Sequence, residues 1–156
     1  MTPQNRAGDV PHILLVEDNL DDIILTRRAL KKAGLRANLL VVEDGELALD
    51  YVAGAGAYRD RDRHPWPTLV LLDLKLPKKP GLEVLRWVRA QPHMHDLPVV
   101  VLTSSRQLED IDRAYELGAN SYLEKPVDFE SLKKLVSALH LYWLQLNVTG
   151  THYGTR

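Results

Sequence analysis

Five short apolar runs alternate with amphipathic stretches along this chain. The runs cover residues 12–17, 39–42, 68–73, 99–102 and 120–124. The stretches between them repeat apolar residues three or four positions apart, which is typical of one face of a helix. Strands that alternate with helices in this way indicate βαβ units and a parallel sheet. The third run is apolar on both of its faces, as expected for a central strand.

One amphipathic helix is predicted after each run, and glycine or proline marks most of the connections. The first helix is expected over about residues 21–33 and the third over about 82–89, and the fifth begins near Asp128. The inner face of the first helix is expected to carry Leu20, Ile23, Ile24 and Leu30, and one face of the fifth is expected to carry Leu132, Leu135, Val136, Leu139 and Trp143. The second and fourth helices are marked by the spacing of their apolar residues, which are Leu47, Ala48, Tyr51 and Val52 in the second and Leu108, Ile111 and Tyr115 in the fourth.

The length of 156 residues fits a single domain, with a flexible N-terminus expected over 1–10, a folded unit over 11–146 and a flexible tail over 147–156. Hydrophobic residues make up 45% of the chain and charged residues 26%, which is ordinary for a globular protein. The net charge of -1 provides no basic field for nucleic acid, and the absence of cysteine excludes disulfides and thiolate metal sites. Because the chain has neither an apolar stretch of membrane-spanning length nor a signal peptide, we expect a cytoplasmic protein with no membrane partner.

Residues that can carry chemistry end four of the five runs. Glu17 and Asp18 end the first run, Asp73 ends the third, Thr103 follows the fourth and Lys125 follows the fifth. The carboxyl ends of the strands are where ligands bind in an open parallel α/β sheet. We therefore expect these side chains to share one site, suited to a divalent cation and a phosphoryl group.

The three carboxylates of this set would repel one another if all were ionised without a counter-ion. A divalent cation removes that repulsion, and oxygen-only ligands select Mg²⁺, Mn²⁺ or Ca²⁺ over zinc or copper. Mg²⁺ is the expected cofactor, because it takes one or two protein carboxylates, keeps several waters and completes its shell with phosphate. The competing interpretation is that these acids are helix caps at the starts of loops.

Asp73 is the candidate nucleophile, because a carboxylate can attack phosphorus to give an aspartyl phosphate. Lys125 is suited to pair with a phosphoryl oxygen, and Thr103 offers a hydroxyl donor. Taken singly, such a lysine is usually a surface residue and such a threonine is usually a turn residue. The combination is what predicts phosphoryl transfer, which needs mainly positioning and charge neutralisation.

The motifs around these residues follow one another in a defined order, and the resemblance that they carry covers about residues 11–144. They are Leu14-Leu15-Val16-Glu17-Asp18-Asn19, Leu71-Leu72-Asp73-Leu74-Lys75-Leu76-Pro77, Gly81, Val101-Leu102-Thr103-Ser104, Gly118-Ala119, Tyr122 and Lys125-Pro126. In these blocks the chain resembles the receiver domains of two-component response regulators. The resemblance implies a doubly wound, flavodoxin-like fold, with a five-stranded parallel sheet of strand order 2-1-3-4-5 and five helices.

The resemblance also implies a role for each residue of the cation site. Asp73 would be the phosphoacceptor and would contribute to the metal shell. Asp18 would bind Mg²⁺ directly, Glu17 would bind it mainly through water, and the backbone carbonyl of Lys75 would complete the protein ligands. Glu17 departs from the family's commoner aspartate, which changes the reach of the first acid but keeps its charge.

The remaining roles concern the switch. Lys125 would contact the phosphoryl group, and Thr103 would be the hydroxyl that moves toward it. Tyr122 would turn inward when Thr103 moves, so that its two positions are two packings of one core. Without the family context, Tyr122 is an ordinary aromatic of an edge strand.

A cognate histidine kinase is the partner that the resemblance implies, with a histidine phosphotransfer protein as a further partner downstream. The charged loop at residues 58–67 is longer than in the shortest receivers. Together with the stretch at residues 44–51, it resembles the single-domain regulators that are paired with phytochrome-type histidine kinases.

No effector module is expected after the fifth helix, so output would come through partner binding, dimerisation or onward transfer of the phosphate. Leu141, Tyr142, Leu144 and Leu146 add apolar surface outside the predicted inner stripe of that helix. Helices that are apolar all round are usually buried on both sides. The sequence therefore predicts a homodimer through residues 140–146, with Tyr142, Trp143 and Leu146 in the interface. The competing interpretation is a monomeric protein whose helix end exposes apolar residues.

Three other classes of protein share part of this chemistry. A phosphohydrolase of the haloacid dehalogenase type also uses a strand-end aspartate and Mg²⁺, but it has a second aspartate where this chain has Lys75. A nucleotide or flavin binder would carry a Walker loop or a glycine-rich turn after the first strand, and this chain has neither. A receiver-like binding module that works without phosphate would lack part of the motif set. We therefore expect a phosphoacceptor switch whose only catalysis is its own phosphorylation and dephosphorylation.

Overall fold

Five parallel strands form one sheet in this protein, seen in a computed structural model that describes residues 10–150. The strands are β1 (His12–Val16), β2 (Asn38–Val42), β3 (Leu69–Leu72), β4 (Val99–Thr103) and β5 (Ser121–Glu124). Their order across the sheet is β2-β1-β3-β4-β5. The predicted fold class and strand order are therefore confirmed.

Five α-helices connect and follow the strands, and each lies close to its predicted position. They are α1 (Leu20–Lys32), α2 (Gly45–Ala53), α3 (Gly81–Ala90), α4 (Leu108–Glu116) and α5 (Phe129–Leu139). Short 3-10 turns occur at Gly56–Tyr58 and Pro92–Met94, and α5 continues as a π-helical segment, His140–Leu146. Of the ends predicted to be flexible, residues 1–9 and 151–156 lie outside the described residues. Between residues 10 and 150, no helix is both long enough and apolar enough to cross a membrane.

The sheet separates two apolar cores, because successive side chains of a strand point to opposite faces. On one face, α2, α3 and α4 pack on residues such as Val16, Leu72 and Val101. On the other face, α1 and α5 pack on residues such as Leu15 and Leu71. Every residue of β3 is buried, which agrees with the prediction of a central strand.

The predicted inner face of α1 is partly wrong. Ile23 and Leu30 are buried as expected, but Leu20 and Ile24 are exposed. Leu20 is the first residue of the helix and lines an open cleft at the carboxyl ends of the strands. Ile24 lies one position beyond Ile23, a rotation of about 100° around the helix, which turns its side chain to solvent.

Some of the apolar residues whose spacing marked α2 and α4 do not face the core. Leu47, Leu108 and Tyr115 are exposed. Ala114 is the residue of α4 that is buried, so α4 approaches the sheet through a small side chain and its larger apolar residues flank that contact.

The end of α5 differs from a continuous α-helix. Leu144 was expected to face outward but is buried, five residues after the buried Leu139. This spacing follows from the π-helical segment, whose hydrogen bonds join residues five apart. Trp143, expected on the inner stripe, is half-buried against the same core. His140 is also buried, with its Nε2 atom 3.1 Å from the carbonyl oxygen of Arg36.

Candidate functional site

The predicted site residues meet in one cleft at the carboxyl ends of β1, β3 and β5. Glu17, Asp18, Asp73, Lys75 and Lys125 all line this cleft. Thr103, at the end of β4, is fully buried beside it and contacts Asp73. The structure thus brings together the candidate metal ligands, the candidate nucleophile and its two candidate partners.

Backbone hydrogen bonds hold these residues in register just past the strands. The amide of Glu17 donates to the carbonyl of Val42 at 3.0 Å, and the amide of Asp73 donates to the carbonyl of Val16 at 3.1 Å. The amide of Lys125 donates to the carbonyl of Thr103 at 2.8 Å. Because the ladder extends by one residue beyond each strand, the positions of the side chains follow from the order of the strands.

Gly81 allows the loop after Asp73 to close tightly. Its amide donates to the carbonyl of Leu74 at 3.0 Å, at the start of α3. A methyl group at Gly81 would lie 2.2 Å from the carbonyl oxygen of Asp73, which is far inside van der Waals contact. A glycine is therefore needed where α3 begins against the backbone of the candidate nucleophile.

Asp73 is buried and receives three donors. Thr103 Oγ1 and the amide of Lys75 donate to its Oδ1 atom at 2.9 and 3.3 Å. Lys125 Nζ donates to its Oδ2 atom at 2.9 Å. Burial alone would raise the pKa of Asp73, but the hydrogen bonds from Lys125 and Thr103 outweigh burial and lower the pKa below its usual value. The carboxylate is therefore ionised at neutral pH, as a nucleophile must be.

Lys125 is bound to three carboxylates at once. Its Nζ atom lies 2.5 Å from Glu17 Oε1, 2.8 Å from Asp22 Oδ2 and 2.9 Å from Asp73 Oδ2. Burial would lower the pKa of Lys125, but the hydrogen bonds to these three acids outweigh it and raise the pKa above its usual value. The ammonium group therefore stays charged and neutralises part of the acidic cleft.

Glu17 and Asp18 are adjacent in sequence but differ in environment. The Glu17 side chain is only 3% exposed, binds Lys125, and accepts a hydrogen bond from the amide of Asn19 at 3.2 Å. Its burial, with Asp73 nearby, raises the pKa of Glu17 to about 7. Asp18 is exposed, and within residues 10–150 its carboxylate forms no hydrogen bond or ion pair. One acid is thus held by protein groups, whereas the other is open to a ligand.

The donor set fits a hard divalent cation. Carboxylate oxygens of Glu17, Asp18 and Asp73 all lie within 4.8 Å of one another. Oxygen ligands at this spacing suit Mg²⁺, Mn²⁺ or Ca²⁺. Lys75 lines the same cleft, and its amide donates to Asp73 Oδ1 at 3.3 Å.

Tyr122 is connected to the site through the loop that follows β4. Its hydroxyl donates to the carbonyl of Ser105 at 3.0 Å, and its backbone amide donates to the hydroxyl of Tyr115 at 3.1 Å. The Ser105 amide lies 3.5 Å from Thr103 Oγ1, and the Ser105 hydroxyl binds Asp110 Oδ2 at 2.5 Å. A short chain of contacts therefore runs from Asp73 through the β4–α4 loop to the aromatic side chain predicted to switch.

Asp22 is the residue of the site that sequence reasoning missed. An acid in the first turn of a helix is favoured by the helix dipole alone, so its presence in α1 gave no specific signal. The place of Asp22 on the helix, rather than its charge, was the feature that could have indicated it. Helical side chains tilt toward the N-terminus, so a first-turn carboxylate on a helix that begins at the ligand edge projects over that edge.

Comparison with known families and proteins agrees with this geometry. Residues 13–137 match the model of the response regulator receiver domain. The chain is 42% identical over 142 residues to a probable methanogenesis regulatory protein, FilR2, of Methanothrix harundinacea, covering 91% of this chain and 89% of that protein. It is 39% identical over 133 residues to the response regulator Rcp1 of Synechocystis, covering 85% of this chain and 88% of that protein.

Solved structures show the same similarity. The crystal structure of the phosphorylated cyanobacterial phytochrome response regulator RcpA superposes with a TM-score of 0.83 at 36% identity, covering 92% of this chain and all of that chain. The Mn²⁺-bound form of Rcp1 superposes with a TM-score of 0.79 at 37% identity, covering 90% of this chain and 99% of that chain.

Proposed function

Because this chain belongs to the response regulator receiver domain family, we propose that Asp73 accepts a phosphoryl group from a histidine kinase and thereby changes which partners the protein binds. One observation carries the proposal. The Asp73 carboxylate is flanked by a hydroxyl and an ammonium group, Thr103 Oγ1 and Lys125 Nζ, at 2.9 Å each. These donors match the oxygens that a phosphoryl group on Asp73 would bring.

In the proposed transfer, a carboxylate oxygen of Asp73 attacks the phosphorus of a phosphohistidine. The new oxygen–phosphorus bond forms as the phosphorus–nitrogen bond breaks, and the imidazole keeps the bonding pair and takes up one proton from solvent. Lys125 and Thr103 each contact Asp73 beforehand, so their donors need only pass from the carboxylate to the arriving phosphoryl oxygens. This route depends on positioning and charge neutralisation rather than on acid or base chemistry.

Mg²⁺ is the proposed cofactor, and the Mn²⁺-bound structure of the relative Rcp1 supports a divalent metal in such a cleft. Asp18, Asp73 and the carbonyl of Lys75 would hold it directly, and Glu17 would act mainly through water. The contacts that Lys125 and the Asn19 amide make with Glu17 support this difference between a direct ligand and one that acts through water. When bound, the cation would neutralise charge on the carboxylates and the phosphoryl oxygens.

The proposed switch passes from Thr103 to Tyr122. Phosphorylation adds nearly two negative charges and three acceptor oxygens to Asp73. The Thr103 hydroxyl would then turn from the carboxylate to a phosphoryl oxygen and draw the following loop with it. Since the Tyr122 hydroxyl donates to the Ser105 carbonyl in that loop, the position of the ring would follow the position of the loop.

We also propose that the kinase is of the phytochrome type and that the protein acts in the cytoplasm, where such a kinase would meet it. The similarity to the cyanobacterial phytochrome response regulator RcpA and to Rcp1 supports this choice of kinase. A histidine phosphotransfer protein downstream belongs to the same proposal.

Dimerisation is proposed as one form of output, through the π-helical segment His140–Leu146. Tyr142 and Leu146 are exposed there, and the Tyr142 and Trp143 rings pack at an interplanar angle of 75° with centroids 4.8 Å apart. Sedimentation of the double variant Tyr142→Ser with Leu146→Ser tests the interface. Leu108→Ser, which changes an exposed leucine on α4, is the control. An unchanged monomer–dimer balance in the double variant would exclude this interface.

Incubation with Mg²⁺ and acetyl phosphate, followed by mass spectrometry, tests the central proposal. We expect a mass gain of one phosphoryl group in the wild type and none in Asp73→Asn. Asp112→Asn, an exposed aspartate on α4, should still gain it. Sustained hydrolysis of phosphate esters would instead favour a phosphohydrolase, and no mass gain in any variant would favour a binding module that works without phosphate.

The choice of kinase needs a second assay. A phytochrome-type histidine kinase and an unrelated histidine kinase are each labelled with phosphate and mixed with the chain. Faster transfer from the phytochrome-type kinase is the expected result. Equal or slower transfer would contradict this pairing without affecting the role of Asp73.

A further inference from the structure

Asp22 has a place in the cleft that the proposed function does not use. Its Oδ2 atom lies 2.8 Å from Lys125 Nζ, although the two residues are 103 positions apart in the chain. The other carboxylates on the same ammonium group belong to Glu17 and Asp73. An ammonium group has three hydrogens, so each can be directed to one carboxylate.

The backbone of Asp22 is fixed by two hydrogen bonds in the first turn of α1. Its amide donates to Asn19 Oδ1 at 3.1 Å, and its carbonyl accepts from Thr26 Oγ1 at 2.8 Å. Its side chain is 37% exposed at the rim of the cleft. Asp22 is not part of the group of three carboxylates spaced to hold a cation. Its defined contact in the site is therefore the contact with Lys125.

Phosphorylation would change one of the three contacts of Lys125. Once an Asp73 oxygen is bonded to phosphorus in the acyl phosphate, that side chain is a weaker acceptor and one ammonium hydrogen becomes available for a phosphoryl oxygen. The other two hydrogens can stay on Glu17 and Asp22. A lysine side chain loses much rotamer freedom when it is ordered, and here that ordering exists before the donor arrives.

We propose that Asp22 is a positioning residue for phosphoryl transfer, holding Lys125 so that one ammonium hydrogen is directed at the phosphoryl oxygen. The inference rests on the proposed function, because it assumes that Asp73 accepts the phosphoryl group. The proposed role depends on the hydrogen bond rather than on the charge. An uncharged acceptor at position 22 should therefore position Lys125 nearly as well as the carboxylate does.

The reaction with acetyl phosphate provides the test. An Asp73 oxygen forms a bond to phosphorus, the bond from phosphorus to the acetate oxygen breaks, and acetate leaves with the bonding pair, with no proton transferred. The limiting rate and the half-saturating concentration of acetyl phosphate are measured by mass spectrometry at saturating Mg²⁺. The variants are Asp22→Ala, Asp22→Asn and Asp21→Ala. Asp21 is the charge control, because it is exposed on the same turn and forms no hydrogen bond or ion pair with any described residue.

The expected result is a difference in the limiting rate rather than in saturation. Asp22→Ala should lower the limiting rate about tenfold, because Lys125 loses one of its two fixed contacts. Asp22→Asn keeps an acceptor oxygen of the same reach and should restore the rate to within about threefold of the wild type. Asp21→Ala removes the same charge without removing the hydrogen bond, so its limiting rate should stay near that of the wild type.

Three outcomes would overturn the inference. The first is a limiting rate in Asp22→Ala equal to that of the wild type, and the second is Asp22→Asn as slow as Asp22→Ala. The third is a loss of Mg²⁺ affinity, measured calorimetrically, that is larger in Asp22→Asn than in Asp21→Ala, which would make Asp22 a ligand of the cation instead.

A wild-type chain that gains no phosphoryl group would remove the proposed function and this inference together. A wild type that gains it, with Asp22→Ala unchanged, would remove only the inference. Because Asp22→Asn is isosteric, it gives a reading even if Asp22→Ala does not fold.

Discussion

Replacement of Lys125 by methionine should destabilise the protein by leaving buried carboxylates without their cation. The Lys125 ammonium contacts Glu17 at 2.5 Å and Asp73 at 2.9 Å, and these acids are 2% and 6% exposed. Methionine keeps most of the apolar stem, so the main change is the loss of the charge. Leaving a buried charge unpaired costs about 3–5 kcal/mol, and this is the deficit expected at pH 8 without divalent cations.

The loss of unfolding free energy in Lys125→Met should depend on pH and on divalent metal. The pKa of Glu17 is about 7 with Lys125 present, above its ordinary value of 4.5, and loss of the ammonium should raise it further. Between pH 8 and 6 the folded variant therefore binds more protons than the folded wild type, so the deficit should shrink as the pH falls. Added Mg²⁺ should also shrink it, because a bound cation replaces the lost positive charge.

Urea unfolding followed by tryptophan fluorescence measures the free energy of unfolding. Lys133→Met is the matched control, because Lys133 Nζ lies 3.6 Å from Glu130 Oε2, with the Glu130 side chain 74% exposed and the Lys133 side chain 30% exposed. Surface pairs of this kind contribute less than about 1 kcal/mol. If Lys125→Met and Lys133→Met lost the same free energy at pH 8, the ammonium would not be what stabilises the acidic cleft. A deficit that grew on acidification would contradict the assigned protonation of Glu17.

Three further predictions concern the backbone, the metal and the switch. Gly81→Ala should lower the free energy of unfolding by about 1–3 kcal/mol and slow phosphorylation, because the added methyl would meet the Asp73 carbonyl at 2.2 Å; urea unfolding and mass spectrometry measure the two effects. Burial raises the pKa of Glu17 to about 7, so Mg²⁺ must displace a proton from Glu17 when it binds at lower pH. The Kd for Mg²⁺, measured calorimetrically, should therefore rise about tenfold per pH unit well below pH 7, and a Kd that does not change with pH would contradict this. Tyr122→Phe should lose about 1 kcal/mol in urea unfolding, because the buried Ser105 carbonyl loses its 3.0 Å donor; an unchanged midpoint would show that the contact contributes nothing.

Much of the site was predictable because its residues lie at strand ends. Once Glu17, Asp73 and Lys125 were assigned to the ends of parallel strands, their proximity followed from the sheet alone. The backbone hydrogen bonds from Glu17 to Val42 and from Asp73 to Val16 fix the positions of these residues relative to the neighbouring strands. The direction of the Asp73 pKa, in contrast, depends on the distances to Lys125 and Thr103 and had no sequence signal.

The helices were less predictable than the strands, because a small error in helical phase changes which residue is buried. Ile24 was expected inside beside Ile23 and is exposed. Leu144 was expected outside and is buried, because the π-helical turn after Leu139 shifts the phase by one residue. The periodicity of apolar residues assumes a constant number of residues per turn, so it cannot predict a position where that number changes.

The sequence by itself determined the class of fold, the order of the chemical groups along the chain and the strand ends on which they stand. These properties are local, since they depend on runs of apolar residues and on which residue follows each run. Only the tertiary structure decided that Asp22 meets Lys125 at 2.8 Å, and that Glu17 is buried while Asp18 is open. Such contacts depend on how α1 is rotated against β5, and that rotation is set by the packing of the whole core rather than by any one segment.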